Sequence, residues 1–218
     1  MTPPSPLPST ILLDLDGTLV DAHEAIVDGV LELAAERGLR VPDRAWARSR
    51  IGHEPESTWV ALGAEDPAAM VAAFSAKVLP TLAERTRVLP GVADALGRLA
   101  AEGFVLAVAT TRLTESAEHT LEFTGLAAHI THVTGRDRVE RAKPAPDVVL
   151  HALQAVRAEA SAAIMVGDSD ADVLAARAAG VPAWAVLGGV GEEKTLRDAG
   201  ADLILANGVG ELPDHLMR

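Results

Sequence analysis

Asp14-Leu15-Asp16-Gly17-Thr18-Leu19 follows directly on the apolar run Thr10-Ile11-Leu12-Leu13. Such a run reads as a strand covered on both faces, and the chain then presents two carboxylates two residues apart at its end. That spacing points both side chains to the same face, where their repulsion calls for a cation, a proton or a reaction. A plain acidic turn is the alternative for an isolated Asp-Gly. Here the downstream sequence argues against it.

Three further apolar runs stop at, or lead toward, a polar group. Phe104 to Ala109 ends at Thr110, His129 to Thr134 precedes Lys143-Pro144, and Ala162 to Val166 ends at Gly167-Asp168. Strands are expected near Thr10 to Leu13, Val105 to Ala109, Ile130 to Val133, Ala163 to Val166, Ala183 to Leu187 and Leu203 to Leu205. Helical periodicity places helices between them, near Val92 to Glu102, Thr114 to Thr124, Ala145 to Ala158, Ala171 to Ala179 and Glu192 to Ala199. This alternation predicts an α/β, doubly wound, Rossmann-like parallel sheet, with any ligand at the carboxyl ends of the strands. Between Asp21 and Val88 the pattern is helical throughout, with segments at Asp21 to Arg37, Asp43 to Ile51, Pro55 to Leu62 and Pro67 to Glu84. The organisation expected is a core of 1–20 and 89–218 carrying an all-helical insertion, 21–88, after the first strand. The Pro-rich residues 1–9 are expected to form a disordered arm.

With 218 residues, of which 49% are hydrophobic, the chain has material for a full domain with an insertion. No apolar run reaches the roughly 20 residues of a membrane span, and the Pro-rich start lacks the basic and apolar blocks of an export signal. The absence of cysteine excludes disulfides, thiolate zinc sites and a cysteine nucleophile, and fits a reducing cytoplasm. A net charge of −12 without a Lys/Arg run argues against binding of a nucleic acid polymer. An acidic protein that handles phosphate must concentrate its few cations. There are three lysines, Lys77, Lys143 and Lys194, and Lys143 stands in the stiff segment Lys143-Pro144-Ala145-Pro146.

Acid, hydroxyl, lysine, acid, in this order, resemble the four motifs of the haloacid dehalogenase superfamily of hydrolases, nearest its phosphoglycolate phosphatase-like branch, from about Thr10 to the end of the chain. The resemblance implies that Asp14 is the nucleophile that takes up a phosphoryl group, and that Asp16 protonates the leaving oxygen and later activates water. Thr110, with Thr111 beside it, would bind phosphoryl oxygens. Relatives often carry Asn then Lys after the threonine, where this chain has Thr111-Arg112. Lys143 would neutralise nucleophile and phosphoryl group, and Asp172 would orient the lysine or a metal-bound water. Asp14, Asp168 and a backbone carbonyl near Asp16 would hold the metal. Hard oxygen donors without His or Cys select Mg²⁺. The insertion becomes a cap, and Arg48 to Pro55 is similar to the loop that relatives lower onto the substrate, with Arg50 and His53 as candidate contacts to a second anionic group. A solvated helix end remains the other reading of that loop. Trp46 and Trp59 are expected in the cap core.

Asp168-x-Asp170-x-Asp172 resembles the start of a calcium loop, but Val173 and Ala179 occupy the positions that need glycine and glutamate. Asp170 reads better as a helix cap or dipole partner. Gly188 to Thr195 resembles a phosphate loop, but Glu193 stands where glycine must precede the lysine. The expected activity is Mg²⁺-dependent hydrolysis of a small phosphorylated metabolite through an aspartyl phosphate, phosphoglycolate being the first candidate. A phosphosugar mutase of the same superfamily is the near alternative. A phosphoaspartate receiver domain is the distant one, disfavoured because helical sequence fills the interval where its phosphorylated Asp would lie.

Overall fold

The computed structural model describes residues 8–217. The arm expected over 1–9 therefore lies largely outside the described residues. Ser9 is already tied to the sheet, its N–H donating to the Ala162 carbonyl and its carbonyl accepting from Val105.

Six parallel strands form the central sheet: β1 (Thr10–Leu13), β4 (Val105–Ala109), β5 (His132–Thr134), β6 (Ala163–Gly167), β7 (Ala183–Val186) and β8 (Leu203–Leu205). Their spatial order is β5-β4-β1-β6-β7-β8. The chain thus winds outward from β1 in one direction, then returns to its other side. This reversal opens a crevice at the carboxyl ends of β4, β1 and β6, where ligands bind in sheets of this kind. β1 is buried at every position because successive residues serve opposite faces. Ile11 and Leu13 pack with Leu96 and Leu99 of α5 (Val92–Ala101) and Leu121 of α6 (Thr114–Phe123). Leu12 packs in the opposite layer, with Val149 and Leu153 of α7 (Asp147–Val156), Val173 of α8 (Asp170–Ala178) and Leu196 of α9 (Glu193–Ala199).

Four helices lie within the segment 21–88: α1 (His23–Glu36), α2 (Arg44–Ser49), α3 (Pro55–Ala61) and α4 (Pro67–Leu82). They enclose their own apolar cluster, including Val27, Val30, Leu33, Trp59, Leu62 and Val71. Trp59 is buried there, in line with the expectation, while Trp46 is partly buried with the Arg40 and Arg50 guanidinium groups over its ring.

The structure differs from the expectation in a few places. The segment 21–88 is not wholly helical, because β2 (Val20–Asp21) and β3 (Arg87–Val88) pair antiparallel where it leaves and rejoins the core. Two residues are too few to display a period, so such a ribbon escapes pattern reading. β5 begins at His132 rather than Ile130, because Leu126–His129 closes a short 3₁₀ turn first. A last short helix, α10 (Leu212–Leu216), buries Leu212 and Leu216 against the sheet and was not anticipated.

Candidate active site

β1 delivers Asp14 and Asp16 to the crevice, and β6 delivers Asp168 beside them. Gly17 makes the tight exit from β1 with φ of +85°, a conformation open to glycine at little steric cost. A Cβ at that position would also stand 2.3 Å from the Asp168 carboxylate. Asp168 is gripped from its other side by the loop after β7, where the Val190 N–H donates to its Oδ2 at 2.7 Å. A side chain at Gly189 would overlap Asp168 at 1.9 Å. The glycines at Gly188–Gly191 therefore let backbone close over a carboxylate rather than cradle a nucleotide.

Lys143 is buried, and its ammonium donates to Asp14 Oδ1 at 2.7 Å and to Asp172 Oδ1 at 2.5 Å. The second oxygen of Asp172 accepts from the Ser169 N–H at 3.0 Å and the Ser169 hydroxyl at 2.6 Å. Ser169 is the N-cap of α8 and forms a capping box with Asp172, an arrangement worth about 1 kcal/mol in typical helices. The cap is thus Ser169 and not Asp170, which lies inside the helix with its carboxylate 3.8 Å from His53 Nε2. Asp172 serves fold and site together, fixing the helix start with one oxygen and the lysine with the other.

The carboxylates of Asp14, Asp168 and Asp172 bring oxygens within 4.8 Å of one another. Burial raises the Asp14 carboxyl to about 7; Lys143 opposes the rise and Asp172 adds to it. Asp168 is also held well above the usual carboxylate range, by burial first and then by Asp172 and Asp14. Burial would push the Lys143 ammonium down, but the two carboxylates it touches outweigh that and raise it. When all three acids are ionised, the Lys143 ammonium leaves two buried negative charges uncompensated. A hard divalent cation matches both this charge and the all-oxygen donor set, so Mg²⁺ fits these residues. Asp16 is absent from the carboxylate triad, because its side chain is turned to Arg112.

Arg112, visible in the sequence only as a departure from the Asn-Lys pair of relatives, is the partner of Asp16. Its Nε donates to Asp16 Oδ2 at 2.8 Å, its Nη2 donates to Asp16 Oδ1, and its Nη1 reaches the Thr120 hydroxyl at 2.7 Å. The bidentate pair is buried. A strand-end arginine two residues beyond Thr110 was visible in the sequence, but its partner lies 96 positions away. Thr110 is buried one residue past β4, its N–H bonded to the Thr134 carbonyl and its hydroxyl accepting from the Arg112 N–H at 3.2 Å.

A cavity of about 120 Å³ opens beside Asp16, between the core and the four-helix segment. Thr111, Arg112 and Arg136 line it from the core, and Arg50 and His53 line it from the loop after α2. The structure thus gathers Asp14, Lys143, Asp168 and Asp172 into one buried cluster, and Asp16, Thr111, Arg50 and His53 around one chamber. Arg50 bonds the Ser57 hydroxyl through Nη2 at 2.6 Å, while its Nε and the Nδ1 of His53 are buried without a partner among the described residues. Burial, reinforced by the Arg50 charge, lowers the pKa of His53 and favours the neutral ring. Gly52, between the two, sits against Ser169 of the core, where an added Cβ would come within 3.4 Å of its hydroxyl. The loop is therefore seated on the site.

Residues 11–186 match the family model described as haloacid dehalogenase-like hydrolase. The probable phosphatase IndB of Dickeya dadantii is 34% identical, covering 89% of this chain and 88% of its own length. A phosphoglycolate phosphatase of Rhodospirillum rubrum is 36% identical, covering 81% of this chain and 78% of its own. Among solved structures, that of a predicted phosphatase from Clostridium acetobutylicum superposes with a TM-score of 0.88 at 26% identity, covering 97% of this chain and 99% of that one. Fold, sequence and the order of strand-end residues agree: the chain belongs to the haloacid dehalogenase-like hydrolases.

Proposed function

We propose that this hydrolase releases phosphate from a small phosphomonoester, with Asp14 as nucleophile and Mg²⁺ as cofactor. The observation that carries the reading is Lys143, buried between Asp14 and Asp172 at the carboxyl end of the central strand. It directs one ammonium at a carboxylate that must be ionised to attack phosphorus. In the first step the Asp14 carboxylate bonds to phosphorus as the ester oxygen departs with a proton from Asp16, which has left the Arg112 fork and taken that proton from water. In the second, Asp16 takes a proton from water as that water cleaves the aspartyl phosphate and restores Asp14. The Thr110 hydroxyl and nearby backbone N–H groups hold the phosphoryl oxygens, and Lys143 offsets the charge that accumulates there. Asp14, Asp168 and a carbonyl near Asp16 would hold Mg²⁺, which when bound supplies charge neutralisation for nucleophile and phosphoryl group.

Arg50 and His53 are proposed to contact the substrate, supported by their place in the chamber wall and by the buried Arg50 Nε and His53 Nδ1, which have no partner among the described residues. The segment 21–88 then acts as a cap that excludes bulk water during transfer and moves between turnovers. No helix of the described residues is long and apolar enough to cross a membrane. We propose a cytoplasmic enzyme acting on a small phosphorylated metabolite, a location that the absence of cysteine from the sequence fits.

The test is phosphate release from a panel of phosphorylated metabolites, phosphoglycolate included, with Mg²⁺ and with chelator. Sustained multiple turnover that chelation stops and Mg²⁺ restores is expected. A single phosphorylation event without release would instead indicate a receiver-like protein, and transfer between positions of one sugar would indicate a mutase.

A further inference from the structure

The chamber beside Asp16 has a composition ill suited to a two-carbon acid. Its wall includes Ile26, Val30, Trp59, Val71, Phe74 and Leu113, and its polar side is dominated by the arginines Arg50, Arg112 and Arg136. At about 120 Å³ it approaches the ~150 Å³ of an apolar protein cavity that accepts one benzene ring. Asp16 lines this chamber while Asp14, Lys143 and Thr110 do not, so the chamber extends on the side where a leaving group would depart. Arg112 offers its planar fork there, and its present occupant is a carboxylate, that of Asp16. Such a fork matches a carboxylate in shape as well as charge. If Asp16 attends the departing oxygen, it must leave that fork, and a buried arginine then needs a replacement acceptor.

We propose that the preferred substrate is a phosphomonoester whose alcohol carries a ring-sized apolar group together with a carboxylate, the ring lying on the Trp59–Phe74 wall and the carboxylate taking the place of Asp16 on Arg112. The inference rests on the phosphatase reading above and specifies its substrate. Arg112 is then a specificity-determining residue, coupling arrival of the right leaving group to release of Asp16.

Three synthetic esters of secondary alcohols isolate the two features. O-Phospho-3-phenyllactate has ring and carboxylate, O-phospholactate has the carboxylate alone, and 1-phenylpropan-2-yl phosphate has the ring alone. Phosphate release should give the first a kcat/KM about tenfold or more above each of the others. In Arg112→Lys the advantage of phenyllactate over the phenylpropyl ester should shrink to about threefold or less, because an ammonium lacks the fork. Its advantage over phospholactate should persist, since the apolar wall is untouched. A merely structural role for Arg112 would lower all three rates together and leave both ratios standing, which overturns the assignment of the arginine. Equal rates in the wild-type enzyme, or a preference for phospholactate, overturn the substrate class while leaving the phosphatase intact. Absence of release from these esters and from the wider metabolite panel overturns both.

Discussion

The two halves of the site treat polar groups in opposite ways. In the core, Asp14, Asp168, Asp172 and Lys143 are buried and bonded to one another, to Ser169 or to the Val190 N–H. Across the chamber, in the loop after α2, Arg50 and His53 each keep a buried nitrogen without a partner among the described residues. A buried, mutually bonded cluster holds geometry whatever molecule arrives. A loop with unmet hydrogen-bonding capacity is completed by the molecule itself, at a cost of about 1–3 kcal/mol when that molecule cannot answer. On the proposed function, the buried cluster carries the chemistry, and the choice of substrate falls to the chamber, shared between Arg112 of the core and Arg50 and His53 of the cap.

The largest break should come at Asp14. Asp14→Asn keeps the shape but removes the nucleophilic charge, and kcat should fall by about 10⁴-fold or more with every substrate. Thermal melting should remain cooperative, because the isosteric amide fills the same space. Full turnover in this variant would end the proposed mechanism.

Lys143→Met comes next, since it removes the cation bonded to Asp14 and Asp172. A loss of about 10²–10³-fold in kcat is expected, from the loss of charge compensation at the phosphoryl group. Stability without Mg²⁺ should fall by about 3 kcal/mol, because the carboxylates are left buried and unpaired. Urea titration reads the second effect independently of the first. A variant as stable as the parent would mean the acids take up protons freely when the lysine goes.

The third prediction concerns the coupling of pH and metal. The Asp14 carboxyl is raised from 3.8 to about 7 in the metal-free fold, so between these values the folded state holds a proton that the unfolded state has released. Stability from this group is therefore greatest at low pH and declines as pH rises through about 7, the reverse of an ordinary ion-paired aspartate. Mg²⁺ requires the ionised carboxylates, so its binding releases protons and is favoured by the same rise in pH. Saturating Mg²⁺ should raise the melting temperature more at pH 8 than at pH 6, by about 3 °C or more. Asp168→Asn should remove most of that difference. A Mg²⁺ shift independent of pH would place the cation away from these acids.

The same contrast explains how much could be read from the chain. Wherever a strand ends in chemistry, an apolar run reports the strand and the next polar residue reports the site, as at Leu13-Asp14, Ala109-Thr110 and Gly167-Asp168. Lys143 was legible through its stiff Pro-flanked setting. Arg112 was not, because its role consists in meeting Asp16 and Thr120, contacts made only by the folded chain. The loop at Gly188–Gly191 carried a visible glycine pattern whose meaning, close approach to Asp168, depends on a strand packed beside it. The chamber was hidden for another reason. Its wall is drawn from α1, α3, α4 and the turn after β4, so no single periodic stretch announces it.

The smallest effect tests the cap directly. Arg50→Ala and His53→Ala remove the two chamber-lining side chains with unmet nitrogens while leaving the core cluster untouched. If the cap selects, each should lower kcat/KM for the preferred substrate by about tenfold and change the ranking across the panel. Hydrolysis of a small activated aryl phosphate asks less of recognition and leaving-group protonation, so it should fall comparatively little. Because the Arg50 guanidinium also stands over Trp46 and bonds Ser57, some loss through packing is built into its variant. His53 has no such duties beyond its approach to Asp170, and the exposed side of that pair contributes little. The His53 variant is therefore the cleaner measure. Selective loss on the preferred substrate would make the loop a reader of the leaving group. Uniform loss on all substrates would assign it to closure alone, and no loss on any would return it to a solvated helix end.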